Sequence, residues 1–145
     1  QLPDYIPVGE VQRVCRELGL KDWTQMADPP KVEPQEAEKI LKVVNVEGMA
    51  IPLEAFIVGL EVELEHGTRF KDANVTNNHP VLTGKIVLAH LKETMDYYQR
   101  LEVAELEGDL MHAMAAGNLE KAARKYKALL KAKEELAAAE ARQVG

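Results

Sequence analysis

Residues 84–116 read GKIVLAHLKETMDYYQRLEVAELEGDLMHAMAA. Val87, Leu88, Leu91, Met95 and Tyr98 return every three or four positions, the spacing that gathers apolar side chains on one side of an α-helix. Gly108 is the one weak point in the run, which closes at Gly117-Asn118, a C′ glycine followed by a fresh N-cap. Residues 119–143, LEKAARKYKALLKAKEELAAAEARQ, resume the period at Leu119, Ala122, Ala123, Tyr126, Leu129 and Leu130. Two long helical segments joined by so short a turn predict an antiparallel hairpin. A basic stripe, Arg124, Lys127 and Lys131, follows the second of them and reads as a solvated face or as a docking face for an acidic partner.

Toward the N-terminus the same period recurs in shorter pieces. PVGEVQRVCRELGLKDW, residues 7–23, repeats Val11, Val14, Cys15 and Leu18 and stops at Gly19, which makes Cys15 a small buried hydrophobe. MADPPKVEP breaks the chain with three prolines, and QEAEKILKVV restores helical spacing through Ala37, Ile40, Leu41 and Val44. Pro52 suits the first turn of a helix expected to run to His66, where Gly67 would stop it. Residues 69–84, RFKDANVTNNHPVLTG, read as a fairly long loop, with helix resuming from Pro80 or Thr83. β-branched alternation is nowhere sustained. The expected fold is therefore all-α, a small helical domain with a long C-terminal antiparallel helical hairpin. Its parts are short N-terminal helices over 1–48, a helical core over 52–102 and the hairpin over 103–145, all within a single domain.

Composition narrows the chemistry. The chain has 145 residues, enough to bury a core without disulfides or metal, and a formal net charge of -6. That charge disfavours nucleic acid or an anionic membrane as the main partner. A lone cysteine excludes an intrachain disulfide and a cysteine-rich zinc framework and fits a reducing compartment. QLPDYIPVGE has neither the basic start nor the apolar core of a signal peptide, so a cytoplasmic or virion- or compartment-associated location is expected. No glycine-rich phosphate cradle, GxSxG elbow or Cys-His pairing is present, while a glutamate base with a histidine partner stays open.

Two segments carry polar groups on faces that should turn inward. In GLEVELEHG, residues 59–67, Leu53, Phe56, Ile57 and Leu64 fall within about 60° of Leu60 at about 100° per residue, defining the core stripe. Glu61 and Glu65 project away from that stripe, whereas Glu63 and His66 flank it beside the small residues Ala55 and Gly59. In the next helix Ile86, His90, Glu93 and Tyr97 share a strip opposite the solvated Lys92 and Gln99. Antiparallel packing of these helices would bring Glu63, His66, His90 and Glu93 to one point. Such a nitrogen and oxygen set suits Fe, Mn or Zn as a divalent metal. Di-iron bundles use two Glu-x-x-His motifs plus two further glutamates. Here one motif is reversed, so a two-metal site would need another subunit, Glu61 or Glu65. The alternative is a hydrogen-bonded network that fixes helix register, with Tyr97 as a donor. His79 in NNHP belongs to the capping loop and comes within reach only if that loop folds back, and His112 stands apart.

The words GLEVELEHG, LTGKIVLAHLKE and DYYQRL together resemble a family of unknown function found in bacteria, archaea and phages. Its signature runs Glu-x-Glu-Leu-Glu-His-Gly, then Leu-Thr-Gly-Lys-Ile-x-Leu-x-His-Leu, then Asp-Tyr-Tyr-x-Arg-Leu. The likeness covers about residues 53–102 and implies a shared helical core with Glu63, Glu65, His66, Thr83, Lys85, His90, Glu93, Tyr97 and Tyr98 at signature positions. It implies no activity. Met95 stands where that pattern has proline, which favours an unbroken helix, and His79 replaces an acidic residue, which counts against a ligand role for the loop. The phage occurrence implies a second class of function, a structural or assembly protein that forms a homo-oligomer or packs on a protein partner through its hairpin.

Overall fold

The computed structural model describes residues 3–145, and all the regular structure among them is helical. The α-helices are α1 (Val8–Leu18), α2 (Pro34–Val44), α3 (Leu53–Arg69), α4 (Pro80–Glu93), α5 (Tyr97–Ala115) and α6 (Leu119–Val144). Short 3-10 turns occupy Trp23–Gln25 and Lys71–Ala73. The chain divides into two compact units, one ending at Lys92 and the other beginning at Glu93. None of the helices described is long and apolar enough to cross a membrane.

The first unit is built on the short helices. Val11 and Cys15 of α1, Ala37 and Ile40 of α2, Phe56, Leu60 and Leu64 of α3, and Val87 and Leu91 of α4 are all buried. The stop the sequence indicated for α1 is formed, with Gly19 at a left-handed φ of 67°, and α2 ends at Val44, before Asn45. Between these two helices Trp23 is fully buried, and its indole Nε1 donates to Glu36 Oε2 at 3.1 Å. The same carboxylate oxygen accepts the Lys21 backbone N–H at 3.0 Å, and Oε1 accepts the Glu33 N–H at 3.4 Å in the return half of a capping box. Replacing Glu36 by alanine strands a buried indole N–H, so a loss of about 2 kcal/mol of stability is expected. A red shift of the emission of Trp23, the single tryptophan, would report it. Unchanged emission and melting would show that the indole finds another acceptor.

Gly67 does not stop α3. The helix continues to Arg69, and Gly67 lies buried within it because the side chain of Asn74 rests on its Cα. A Cβ at Gly67 would stand 2.5 Å from Asn74 Cγ. The glycine of GLEVELEHG therefore admits the returning loop rather than breaking the helix. That loop is tied down by asparagines. Asn74 Nδ2 donates to Asn78 Oδ1 at 2.9 Å, Asn77 Nδ2 to the Ile6 carbonyl at 2.6 Å, and Asn78 Nδ2 to the Trp23 carbonyl at 2.8 Å. Asn77 and Asn78 both take positive φ, 49° and 64°, a conformation that asparagine tolerates better than other side-chain-bearing residues.

The second unit is the expected hairpin. Val103, Leu129 and Ala132 form its seam, with Leu106, Leu110 and Leu136 packed around them. Lys125 pairs with Asp109 at 2.9 Å and Arg100 with Glu140 at 3.6 Å, a descending match that sets α5 and α6 antiparallel. Gly117, at φ 70°, and Asn118, whose side chain accepts from Lys121 N at 3.1 Å, form the turn as the sequence indicated. Of the apolar positions read along α6, only Ala122 and Leu129 are buried; Leu119, Tyr126 and Leu130 are exposed.

The unbroken helix expected from residue 84 to 116 is not formed. α4 ends at Glu93 and α5 starts at Tyr97, because Asp96 prefers local partners to helical continuation. Its carboxylate accepts from Thr94 Oγ1 at 2.6 Å, and the Tyr97 N–H closes a turn on the Thr94 carbonyl. Met95 lies in this turn, so proline is not required for the break.

Candidate functional site

The sequence proposed Glu63, His66, His90 and Glu93 as one centre. The structure pairs two of them directly: Glu63 Oε1 of α3 lies 3.4 Å from His90 Nε2 of α4. Both side chains are largely covered, 17% exposed for Glu63 and 29% for His90, so solvent screens their interaction only in part. The core stripe of α3 explains this placement. Phe56, Leu60 and Leu64 are buried, and Glu63 emerges on the flank of that stripe nearest α4.

A cavity of about 170 Å³ opens beside Glu63. His66, Asn74, Thr76, Thr83 and Ile86 line it with Glu63, so three segments, α3, the asparagine loop and α4, contribute to its walls. His66 is exposed at the rim, one helical turn from Glu63. Thr83 is buried, and its hydroxyl donates to the His79 carbonyl at 2.7 Å. Gly84 beside it lets α4 approach α2, since a Cβ there would meet Ile40 Cγ2 at 2.6 Å. The LTGKI motif thus serves packing at Gly84 and the cavity wall at Thr83.

The other residues named from the sequence stand as follows. Glu93 is the last residue of α4 and is exposed. Glu65 sits 3.7 Å from Arg69 as an i, i+4 pair on the outer side of α3. Tyr97 opens α5, and its ring meets Tyr98 edge to face with centroids 5.0 Å apart. His79 is buried and caps α4: its Nδ1 accepts the Leu82 N–H at 3.3 Å. Burial holds its pKa below the usual histidine value, which favours the neutral imidazole that accepts this bond. His112 is exposed. Among the described residues, no group of three or more His, Cys, Asp and Glu side chains is arranged to hold a metal ion.

Two polar centres escaped the sequence reading. The Trp23–Glu36 bond is one, signalled only by a glutamate at the third position of a helix that starts with proline. The other is Asp96, which is 1% exposed on its side chain and takes four hydrogen bonds. Arg100 grips it with Nε and Nη2, both at 2.8 Å, while Gln143 Nε2 reaches it from the far end of α6 at 2.9 Å. The Asp and Arg of DYYQRL are thus a structural clamp.

No curated protein and no solved structure matches the chain. Residues 11–107 match the family described as protein of unknown function (DUF5661), a span that takes in the Glu63–His90 pair, the cavity and the Asp96–Arg100 clamp. With that match extending over most of its length, the chain belongs to the DUF5661 family.

Proposed function

We propose that the Glu63–His90 pair is the heart of a divalent-metal site for Fe, Mn or Zn. The observation that carries the reading is the separation of Nε2 and Oε1, 3.4 Å. Charge-assisted N–H···O bonds usually close to about 2.7–2.9 Å. By contrast, bonds of about 2.0–2.2 Å to a tetrahedral ion hold neighbouring donors about 3.4 Å apart. An imidazole nitrogen and a carboxylate oxygen also match the preferences of these ions. His66, facing the same cavity, is the third ligand in this reading, with water filling the remaining positions. Bound there, the ion would act as a Lewis acid or redox centre on whatever small molecule enters the cavity. Thr83 and Asn74 supply the polar wall such a guest would meet.

Cobalt(II) added to the metal-free protein tests this through its visible ligand-field bands. The wild type should bind cobalt and melt at a higher temperature with it. Glu63→Ala and His90→Ala should each weaken binding by about 100-fold or more, beyond the cost of losing an outer-shell partner. His66→Ala should weaken it less. A wild type that binds none of cobalt, zinc, manganese or iron, or a His66→Ala/His90→Ala variant that binds as before, would leave the pair as a helix-linking hydrogen-bond network. The domain would then be a structural or assembly protein.

A further inference from the structure

We infer that the cavity beside Glu63 takes a short aliphatic primary amine. The choice of guest stands on the cavity walls alone; that a bound ion then meets the amine nitrogen rests on the metal reading above.

The walls are set to accept hydrogen bonds. The Thr83 hydroxyl has one proton and spends it on the His79 carbonyl at 2.7 Å, so toward a guest it can only accept. Asn74 is fixed through a relay. Asn78 Nδ2 donates to the Trp23 carbonyl at 2.8 Å, and because a carbonyl only accepts, the Asn78 amide has one orientation and its oxygen meets Asn74. Asn74 must then present Nδ2, 2.9 Å away, and keeps Oδ1 for a guest. Glu63 also lines the cavity, and an ionised carboxylate only accepts. Thr76 and His66 can serve either way.

The usual partners of an anion do not face this space. Among the described residues that line it there is no lysine or arginine. The N-terminus of α4 is close by, yet its free N–H groups are spent on His79: Leu82 N–H meets Nδ1 at 3.3 Å and Thr83 N–H meets the carbonyl at 2.9 Å. A carboxylate or phosphate guest would lie beside Glu63 with neither to offset its charge.

A primary ammonium group suits the same walls, because its three N–H donors match Glu63, Thr83 and Asn74. A volume of about 170 Å³ has room for about five or six waters, which limits the guest to a few heavy atoms. Ile86 and Val75 also line the cavity and are exposed, so a short alkyl chain can lie along them toward the opening. With an ion on the Glu63–His90 pair, the ammonium gives one proton to solvent and turns the freed lone pair to the ion. Two N–H donors remain for Thr83 and Asn74.

Titration of the metal-free protein with propylammonium chloride at about pH 8, followed by amide NMR, tests the inference; the probe is charged there and an ordinary histidine is neutral. Shifts should centre on Glu63, Asn74 and Thr83, and sodium propionate should produce none at the same concentration. Glu63→Gln and Thr83→Val should each weaken propylammonium binding about tenfold or more, the loss of one hydrogen bond to a charged group, while Thr83→Ser should retain it. A wild type that binds propionate as well as propylammonium, or binds neither, overturns the inference, as does wild-type affinity in both Glu63→Gln and Thr83→Val. In the cobalt-loaded protein propylamine should move the visible bands. Propylammonium binding without any cobalt bands would sink the metal reading alone, and cobalt bands without amine binding in either form would sink the guest alone.

Discussion

Replacing Asp96 by alanine should cost about 3 kcal/mol of stability at neutral pH, the loss expected when a buried carboxylate is removed from a charged partner. The effect falls on three groups at once. Arg100 loses both arms of its grip, Thr94 loses the acceptor that ends α4, and Gln143 loses its hold from the end of α6. The clamp also makes the protein sensitive to acid in a defined direction. Hydrogen bonding from Arg100, then from Thr94, holds the Asp96 carboxyl at about 2 against burial, which pushes the other way. An unfolded chain releases the same proton near 3.9. The folded state thus binds the proton less tightly, so its stabilisation is complete above about pH 4 and disappears as pH falls through about 2. It amounts to about 2 kcal/mol at most, since water reaches the half-exposed Arg100. Chemical denaturation at several pH values checks this: the gap between wild type and Asp96→Asn should narrow steadily from pH 5 to pH 2. A constant gap would mean that the charge of Asp96 contributes nothing.

Gly84→Val should destabilise the first unit by about 3 kcal/mol, the upper end of ordinary overpacking. Substituting glycine inside a helix normally helps by lowering the entropy of the unfolded chain. Here the new Cβ would lie 2.6 Å from Ile40 Cγ2, 3.3 Å from Val44 Cγ1 and 3.5 Å from Phe56 Cζ. Ile40 and Phe56 are fully buried and cannot swing into solvent. The clash must therefore be relieved by moving α4 away from α2, and that displaces His90 relative to Glu63. Thermal melting should show the loss, and a second change, Ile40→Ala, should recover part of it because the two sites share one space. If the double variant is as unstable as the sum of the singles, the contact is not what limits Gly84.

How far the sequence could be read follows from the range of the forces involved. Helix periods and caps are local, and Gly19, Gly117 and Asn118 announced helix ends without tertiary help, whereas Pro34, read as part of the break, opens α2. Glu63 could be singled out because its angle on α3 is fixed by the apolar residues around it. Contacts between distant segments were not legible. Nothing near Gly67 says that Asn74 will lie on it, and nothing near Asp96 says that Gln143 will arrive 47 positions later. Both residues belong to motifs that a local reading assigns to stopping or continuing a helix. His66 shows the opposite error, for an inward angle on the helix did not bury a side chain at the open rim of a cavity.

The asparagine loop sets an order in time. Asn77 and Asn78 reach carbonyls 71 and 55 residues away, so the first unit closes only after long stretches of chain have surrendered their freedom. The α5–α6 seam zips outward from a turn at Gly117 through progressively longer but initially short loops. Local contacts form faster than distant ones. The hairpin is therefore expected to gain amide protection earlier in refolding than the segments gathered around Trp23.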